Sequence, residues 1–302
     1  MKRYIAFLLI FVLLFTMLCG CDNTTPDFSS DNSINSNENY REHQELIATE
    51  ADFDADNMMR FSIPEVGLEN VYVEYVSGSE RICGEGYGRV YLLADDPYGG
   101  GRFPSDLYLM VEFNDKIFVK DVSSVGYYYD INLCDVDGDT DVEIILNVCV
   151  GVTGGHGNHM SRVFDFKDNT IVEIFSSENG EYFDTGYSIT ILKDKKFIIN
   201  NSITGYAEEF VDCRSNRDDK NHIYWWYNPE TGEAKDISLW VDSFYEFLPT
   251  DVDQDGVYEI TCRQYVCLVD HADGLGDAIT VIKYNNDTSQ FEIIDTKFEC
   301  YN

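Results

Sequence analysis

The chain has 302 residues, of which 44% are hydrophobic and 14% aromatic, with 21 Lys and Arg against 55 Asp and Glu and a formal net charge of −34. So acidic a surface excludes nucleic-acid binding, which needs basic groups to neutralise phosphate, and electrostatic adsorption to anionic lipid headgroups. It suits cation binding and solubility at a crowded surface, and the length suffices for one large all-β domain or two small ones.

Residues 1–21 read MKRYIAFLLIFVLLFTMLCGC. Lys2 and Arg3 precede an uncharged apolar stretch over residues 5–18. That stretch is shorter than the roughly 20 residues a comfortable spanning helix needs and fits the apolar region of a secretory leader. It ends in Leu18-Cys19-Gly20-Cys21, which resembles the lipobox of bacterial lipoproteins. The resemblance implies that the Cys21 thiol receives a diacylglycerol and becomes the mature N-terminus, on the extracytoplasmic side of a bacterial membrane. Two acyl chains are enough for stable anchoring.

Residues 22–60 are predicted to be a polar, acidic tether. The run DNTTPDFSSDNSINSNEN is rich in Asn, Ser and Asp and cannot bury enough apolar surface to offset chain ordering. A short helix is expected within residues 40–59. The acidic run Asp52, Asp54, Asp56 reads as solvated surface.

Residues 61–302 read as all-β. Tyr, Phe, Val and Ile dominate the apolar content, as suits pleated, half-buried surfaces, and helical periodicity is scarce. Nine cysteines occur. Cys19 leaves with the leader and Cys21 is the lipid site, so seven remain: Cys83, Cys134, Cys149, Cys213, Cys262, Cys267 and Cys300. An odd set cannot pair completely within one chain. Export permits disulfides, whereas the apolar setting of Cys134, Cys149 and Cys267 equally suits buried free thiols. No CxxC zinc pattern is present.

Self-similarity organises this region. Residues 134–144, CDVDGDTDVEI, align with residues 250–260, TDVDQDGVYEI. Each continues into an apolar strand, a Gly-containing loop and a hairpin, VFDFKDNTIVEIF from Val163 and VIKYNNDTSQFEII from Val281. Hairpins recur without the acidic loop at residues 107–119 and 223–237. Turns centred near Asn114, Asp168, Glu230 and Asp287 define four units, about 69–121, 125–176, 187–240 and 243–295, each with room for four strands. Four-stranded units repeated at this length are expected to form a propeller-like array of about four blades, either closed or as an open stack.

The loop pattern, three Asp at alternate positions and a trailing Glu, gathers carboxylates that would repel strongly without a cation. Ca²⁺ takes six to eight oxygens at about 2.3–2.6 Å. Both loops run into β-branched strands rather than helices, and the position where an EF-hand carries its twelfth-place acid holds Leu146 or Cys262. They resemble the calcium loops of FG-GAP or VCBS repeats, the blades of integrin α-chain propellers. That resemblance implies side-chain ligands Asp135, Asp137, Asp139 and Glu143 with the carbonyl of Asp141. In the second loop it implies Asp251, Asp253, Asp255 and Glu259 with the carbonyl of Val257. Gly256 occupies the sharp turn of the second loop, where the first has Thr140, a residue without glycine's freedom at positive φ.

His156, His159 and His271 lie in the Gly-containing loops and read as structural, and Trp225, Trp226 and Trp240 read as core strand aromatics. No GxSxG, HExxH or P-loop occurs. The function expected is a non-catalytic surface lipoprotein, stiffened by structural Ca²⁺, that presents its loops to an unknown protein or glycan. The alternative is an extracytoplasmic hydrolase of polysaccharide or envelope material, which would need a deep pocket with an acid pair away from the calcium loops.

Overall fold

The structure is a computed structural model describing residues 60–64, 67–95, 106–122, 128–151, 156–178, 183–212, 231, 233, 240–267 and 274–301. The leader, Cys21, most of the tether, the helix expected within 40–59, the third unit's hairpin at 223–237, Cys213, His271, Trp225 and Trp226 lie outside the described residues.

The described residues are all-β, with four antiparallel sheets formed in chain order. The first holds β1 (Arg60–Ile63), β2 (Leu68–Val76), β3 (Glu80–Cys83), β4 (Gly86–Ala94), β5 (Leu107–Phe113) and β6 (Lys116–Asp121), in the order β1-β2-β4-β5-β6 with β3 also on β4. The second is the meander β7 (Tyr128–Cys134), β8 (Glu143–Gly151), β9 (Asn158–Lys167) and β10 (Thr170–Ser176). The third pairs β11 (Tyr187–Ile191), β12 (Lys196–Asn201) and β13 (Ala207–Val211). The fourth repeats the meander with β14 (Trp240–Thr250), β15 (Glu259–Cys267), β16 (Gly274–Asn285) and β17 (Gln290–Cys300).

The repeat units therefore match the sheets, with two departures. The first sheet has six strands rather than four, because β1 starts at Arg60, the last residue assigned to the tether, and β3 shares β4 with β2. The third sheet has three strands among the described residues. Tight turns end the hairpins where short polar side chains tolerate the left-handed region. Both residues of Asn114-Asp115, Asp168-Asn169 and Asp194-Lys195 have positive φ.

Three apolar clusters join the sheets. Val90, Leu92, Leu109 and Val111 of the first sheet pack on Ile144, Leu146, Val148 and Phe164 of the second. Alternation along β8 and β9 turns Ile145 and Val163 to the opposite face. There they meet Phe244, Phe247, Ile260 and Cys262 of the fourth sheet, with Phe175 and Phe247 stacked 5.4 Å apart. The second sheet is thus buried on both faces, and β8 is an almost unbroken run of buried residues. Val266, which shares a face of β15 with Ile260 and Cys262, packs with Leu275, Ala278 and Phe298 on Phe197 and Ile199 of the third sheet. One face of the fourth sheet therefore serves two neighbours, the second sheet at one end and the third at the other.

Cys83, Cys134, Cys149 and Cys262 are free thiols, the last three buried. Burial pushes the Cys134 thiol up to about 12 and Cys262 well above its ordinary value, so both pack as small hydrophobes.

Candidate metal centre

Each acidic loop joins the first two strands of a meander, β7 to β8 and β14 to β15. The buried starts of β8 and β15 pin the far end of each loop, and carboxylates curl the chain before them. In the first loop the two oxygens of Asp135 accept the N–H groups of Gly138 at 2.7 Å and Thr140 at 2.8 Å. Asp137 accepts from Asp139 N at 3.0 Å, and Asp139 from Asp141 N at 2.8 Å. The second loop repeats the pattern. Asp251 accepts from Asp255 N and Gly256 N, Asp253 from Asp255 N, and Asp255 from Val257 N. These are the local side-chain to backbone bonds that let Asp shape a turn.

The curl needs positive φ at the fourth and sixth loop positions. The first loop meets this with Gly138 at +83° and Thr140 at +76°, the second with Gln254 at +63° and Gly256 at +89°. Each loop has glycine at one position and a strained residue at the other. A β-branched residue at positive φ, as at Thr140, is a conformational outlier of the kind that persists only where surrounding contacts over-determine it.

The two loops abut. Tyr258 N donates to the carbonyl of Asp135 at 2.8 Å, Asn286 Nδ2 donates to that of Asp137 at 2.7 Å, and Gly138 faces Val257. The first loop is further tied to the first sheet. Arg81 Nε donates to Asp141 Oδ1 at 2.9 Å, and Val142 N donates to the Arg81 carbonyl. The Asp141 carboxylate is thereby committed to Arg81, which leaves its carbonyl as the group that could face an ion.

In the first loop, carboxylate oxygens of Asp135, Asp137 and Glu143 lie within 4.8 Å of one another. Asp139 is exposed and not part of that convergence. Glu143 is only 1% exposed. Its Oε2 accepts Val136 N at 2.7 Å, while its Oε1 is buried without a hydrogen-bond partner. Burial, opposed by that N–H, pushes the Glu143 carboxyl up to about 9, and the charges of Asp137, Asp165 and Asp139 push the same way. Asp137 and Asp165 are also raised, first by desolvation. The orphaned oxygen is the test of fit for a cation. Oxygens sharing one Ca²⁺ at 2.3–2.6 Å lie no more than about 5 Å apart, and this set meets that limit.

In the second loop, oxygens of Asp251, Asp253 and Asp255 converge within 4.8 Å, without Glu259. Glu259 is equally buried and its Oε2 likewise accepts Val252 N, at 3.1 Å. Its Oε1, however, accepts from Lys283 Nζ at 2.5 Å, and the same ammonium lies 3.4 Å from Asp253 Oδ2. The Glu259 hydrogen bond, against some desolvation, holds the Lys283 ammonium charged above its usual range. Despite desolvation, the nearby Lys283 holds the Asp253 carboxyl below its usual range.

The loop motif does not mark Asp165 and Lys283 as site residues. Their signal lies in the aligned hairpins, where Val163-Phe164-Asp165 matches Val281-Ile282-Lys283.

His156 and His159 are packing groups. His156 stacks on Tyr245 at 3.9 Å, and the buried His159 has its Nε2 3.0 Å from the His156 carbonyl and 3.3 Å from Tyr128 Oη. Desolvation lowers the His159 pKa, so its neutral ring suits the core. Trp240, expected in the core, is 49% exposed. It lines a cleft of about 690 Å³ with Asp184, Asp242, Asn158 and Gln264, away from both loops. Trp240 sits at the start of the β14 edge strand, where the pleat turns it outward.

Fold and site together define an all-β protein of antiparallel sheets with paired acidic loops. A family model described as the YybI C-terminal domain matches residues 185–299. That segment contains the third and fourth sheets and the second acidic loop, while the first loop lies before it. A curated relative from Bacillus subtilis (strain 168), the uncharacterized protein YybI, is 26% identical over 182 residues, covering 56% of this chain and 62% of that protein. The chain thus spans less than two thirds of that relative's length.

Proposed function

We propose that this chain is a non-catalytic lipoprotein of the bacterial cell surface, anchored through Cys21, whose sheets form a propeller-like array stiffened by Ca²⁺ and present a protein- or glycan-binding surface. The observation that carries the calcium reading is Glu143, whose carboxylate converges with those of Asp135 and Asp137 within 4.8 Å and whose Oε1 is buried without a hydrogen-bond partner. A carboxylate so placed costs free energy unless a cation joins it. Ca²⁺ is favoured over softer metals because the donor set is all oxygen. Bound Ca²⁺ stabilises the folded state by mass action.

The test is thermal melting of the chain without its leader, in chelator and across a calcium titration. The expected result is a Tm that rises with calcium in the wild type and not in Asp135→Ala or Asp137→Ala. Identical melts with calcium and with chelator would overturn the calcium reading. For the anchor, Cys21→Ser should move the protein from the membrane fraction to the soluble one, and an unchanged distribution would overturn that reading.

The hydrolytic alternative has one observation in its favour, the cleft holding Asp184, Asp242 and the exposed Trp240. Such a ring suits stacking on a sugar. Hydrolysis of envelope polysaccharide lost in both Asp184→Asn and Asp242→Asn would replace the non-catalytic reading.

A further inference from the structure

The two acidic loops repeat almost position for position, yet the strand beside each sets an opposite charge against it. In the second sheet Ile144 pairs with Phe164, which brings Asp165 across from Glu143. In the fourth sheet Ile260 pairs with Ile282, which brings Lys283 across from Glu259. The consequence is visible atom by atom. In both loops the Oε2 of the trailing Glu accepts the N–H of the second loop residue, Val136 or Val252. The Oε1 is then held by Lys283 in the second loop and orphaned in the first.

We infer that the loops hold different cations: the first takes a divalent metal ion, with Asp165 adding to the attraction, and the second is closed by the Lys283 ammonium in place of a metal. This rests on the calcium reading above and adds which loop is loaded and what decides it. A fixed ammonium beside Glu259 and Asp253 neutralises the charge a dication would use and repels the dication itself. Asp165 does the reverse. It is half-buried, the exposed Lys167 offsets its charge only in part, and that charge acts on Asp137 and Glu143. One loop is therefore ready-made at any calcium concentration, and the other reports whether calcium is present.

The test is isothermal titration of CaCl₂ into the mature chain, Cys21 to Asn302, extracted in detergent and stripped with chelator, with melting curves in parallel. The wild type should bind one Ca²⁺, lost in Asp137→Asn and kept in Asp253→Asn. Lys283→Gln should bind a second Ca²⁺, and its Tm in chelator should fall and recover with calcium. Asp165→Lys should weaken the first site by about 100-fold or more. Asp165→Asn, which keeps the shape, should weaken it by about tenfold with an unchanged Tm in chelator. Two sites of similar affinity in the wild type, or one site lost in Asp253→Asn instead of Asp137→Asn, would overturn the inference and leave the calcium reading standing. No binding heat in any variant would overturn the calcium reading itself.

Discussion

The loop at 135–143 and the loop at 251–259 share a motif, a turn geometry and a place between the first two strands of a meander, yet they solve the same electrostatic problem differently. In the first, Glu143, Asp137 and Asp165 are all pushed toward protonation, and a buried carboxylate oxygen has no partner. In the second, Lys283 answers Glu259 and Asp253 directly. Burial differs as well. Val136 is fully buried in the cluster between the second and fourth sheets, whereas its counterpart Val252 is 53% exposed. A repeat can thus preserve backbone shape while a single strand position decides whether the loop closes on its own charge or needs an ion.

The largest effect that would sharpen this contrast is on pH. The Glu143 carboxyl is raised from 4.5 to about 9 on folding, so the unfolded state releases its proton first. The stability this group contributes is full below pH 4.5 and is lost as pH rises from 4.5 toward 9. In chelator the wild type should lose on the order of 2–4 kcal/mol across that window, after allowing for relaxation of the site. Glu143→Gln should flatten this part of the profile and Glu259→Gln should not. Denaturant melts at pH 5 and 8.5 read it, and parallel losses in wild type and Glu143→Gln would break the contrast.

Next in size is the burial difference. Val136→Ala should cost about 2 kcal/mol from lost packing and a residual cavity, and Val252→Ala less than about 0.5 kcal/mol. Equal costs in chemical denaturation would mean that the first loop is not wedged between sheets.

The smallest effects concern the backbone. Thr140→Gly should stabilise the chelated protein by up to about 1 kcal/mol, by removing a β-branched residue from positive φ. Gly256→Ala should destabilise by about 1 kcal/mol, because its φ of +89° is strained for alanine although nothing crowds an added Cβ. Thermal melts of the two variants should therefore move in opposite directions, and a destabilised Thr140→Gly would show that the threonine side chain matters more than its backbone.

Much of the fold is legible in the chain itself. Alternation and turn residues place β5–β6, β9–β10 and β16–β17, and the recurrence of hairpins marks the bounds of the second and fourth sheets and the start of the third within a few residues, while β1 lies before the expected first unit. The six-stranded first sheet is not legible, since β1 and β3 are four-residue strands whose pairing with β2 and β4 is a tertiary matter. The acidic loops are legible as loops, but their ranking is not. Gly256 at the sharp turn favours the second loop on shape, and Thr140 at the same place counts against the first. The structure nevertheless gives both loops a glycine and a non-glycine at positive φ.

What the sequence by itself determined is local in physical origin: the leader-like N-terminus, the acidity, strand periodicity and the turns that Asp and Gly impose on a few neighbouring residues. Only the tertiary structure decided which charges face each loop and which sheet covers which. Strand register sets Asp165 or Lys283 against a Glu more than twenty residues away, and packing of the second sheet between the first and fourth strips the water from Glu143. A charge's consequence depends on its partners and on solvent access, and both are set by contacts between segments far apart in the chain.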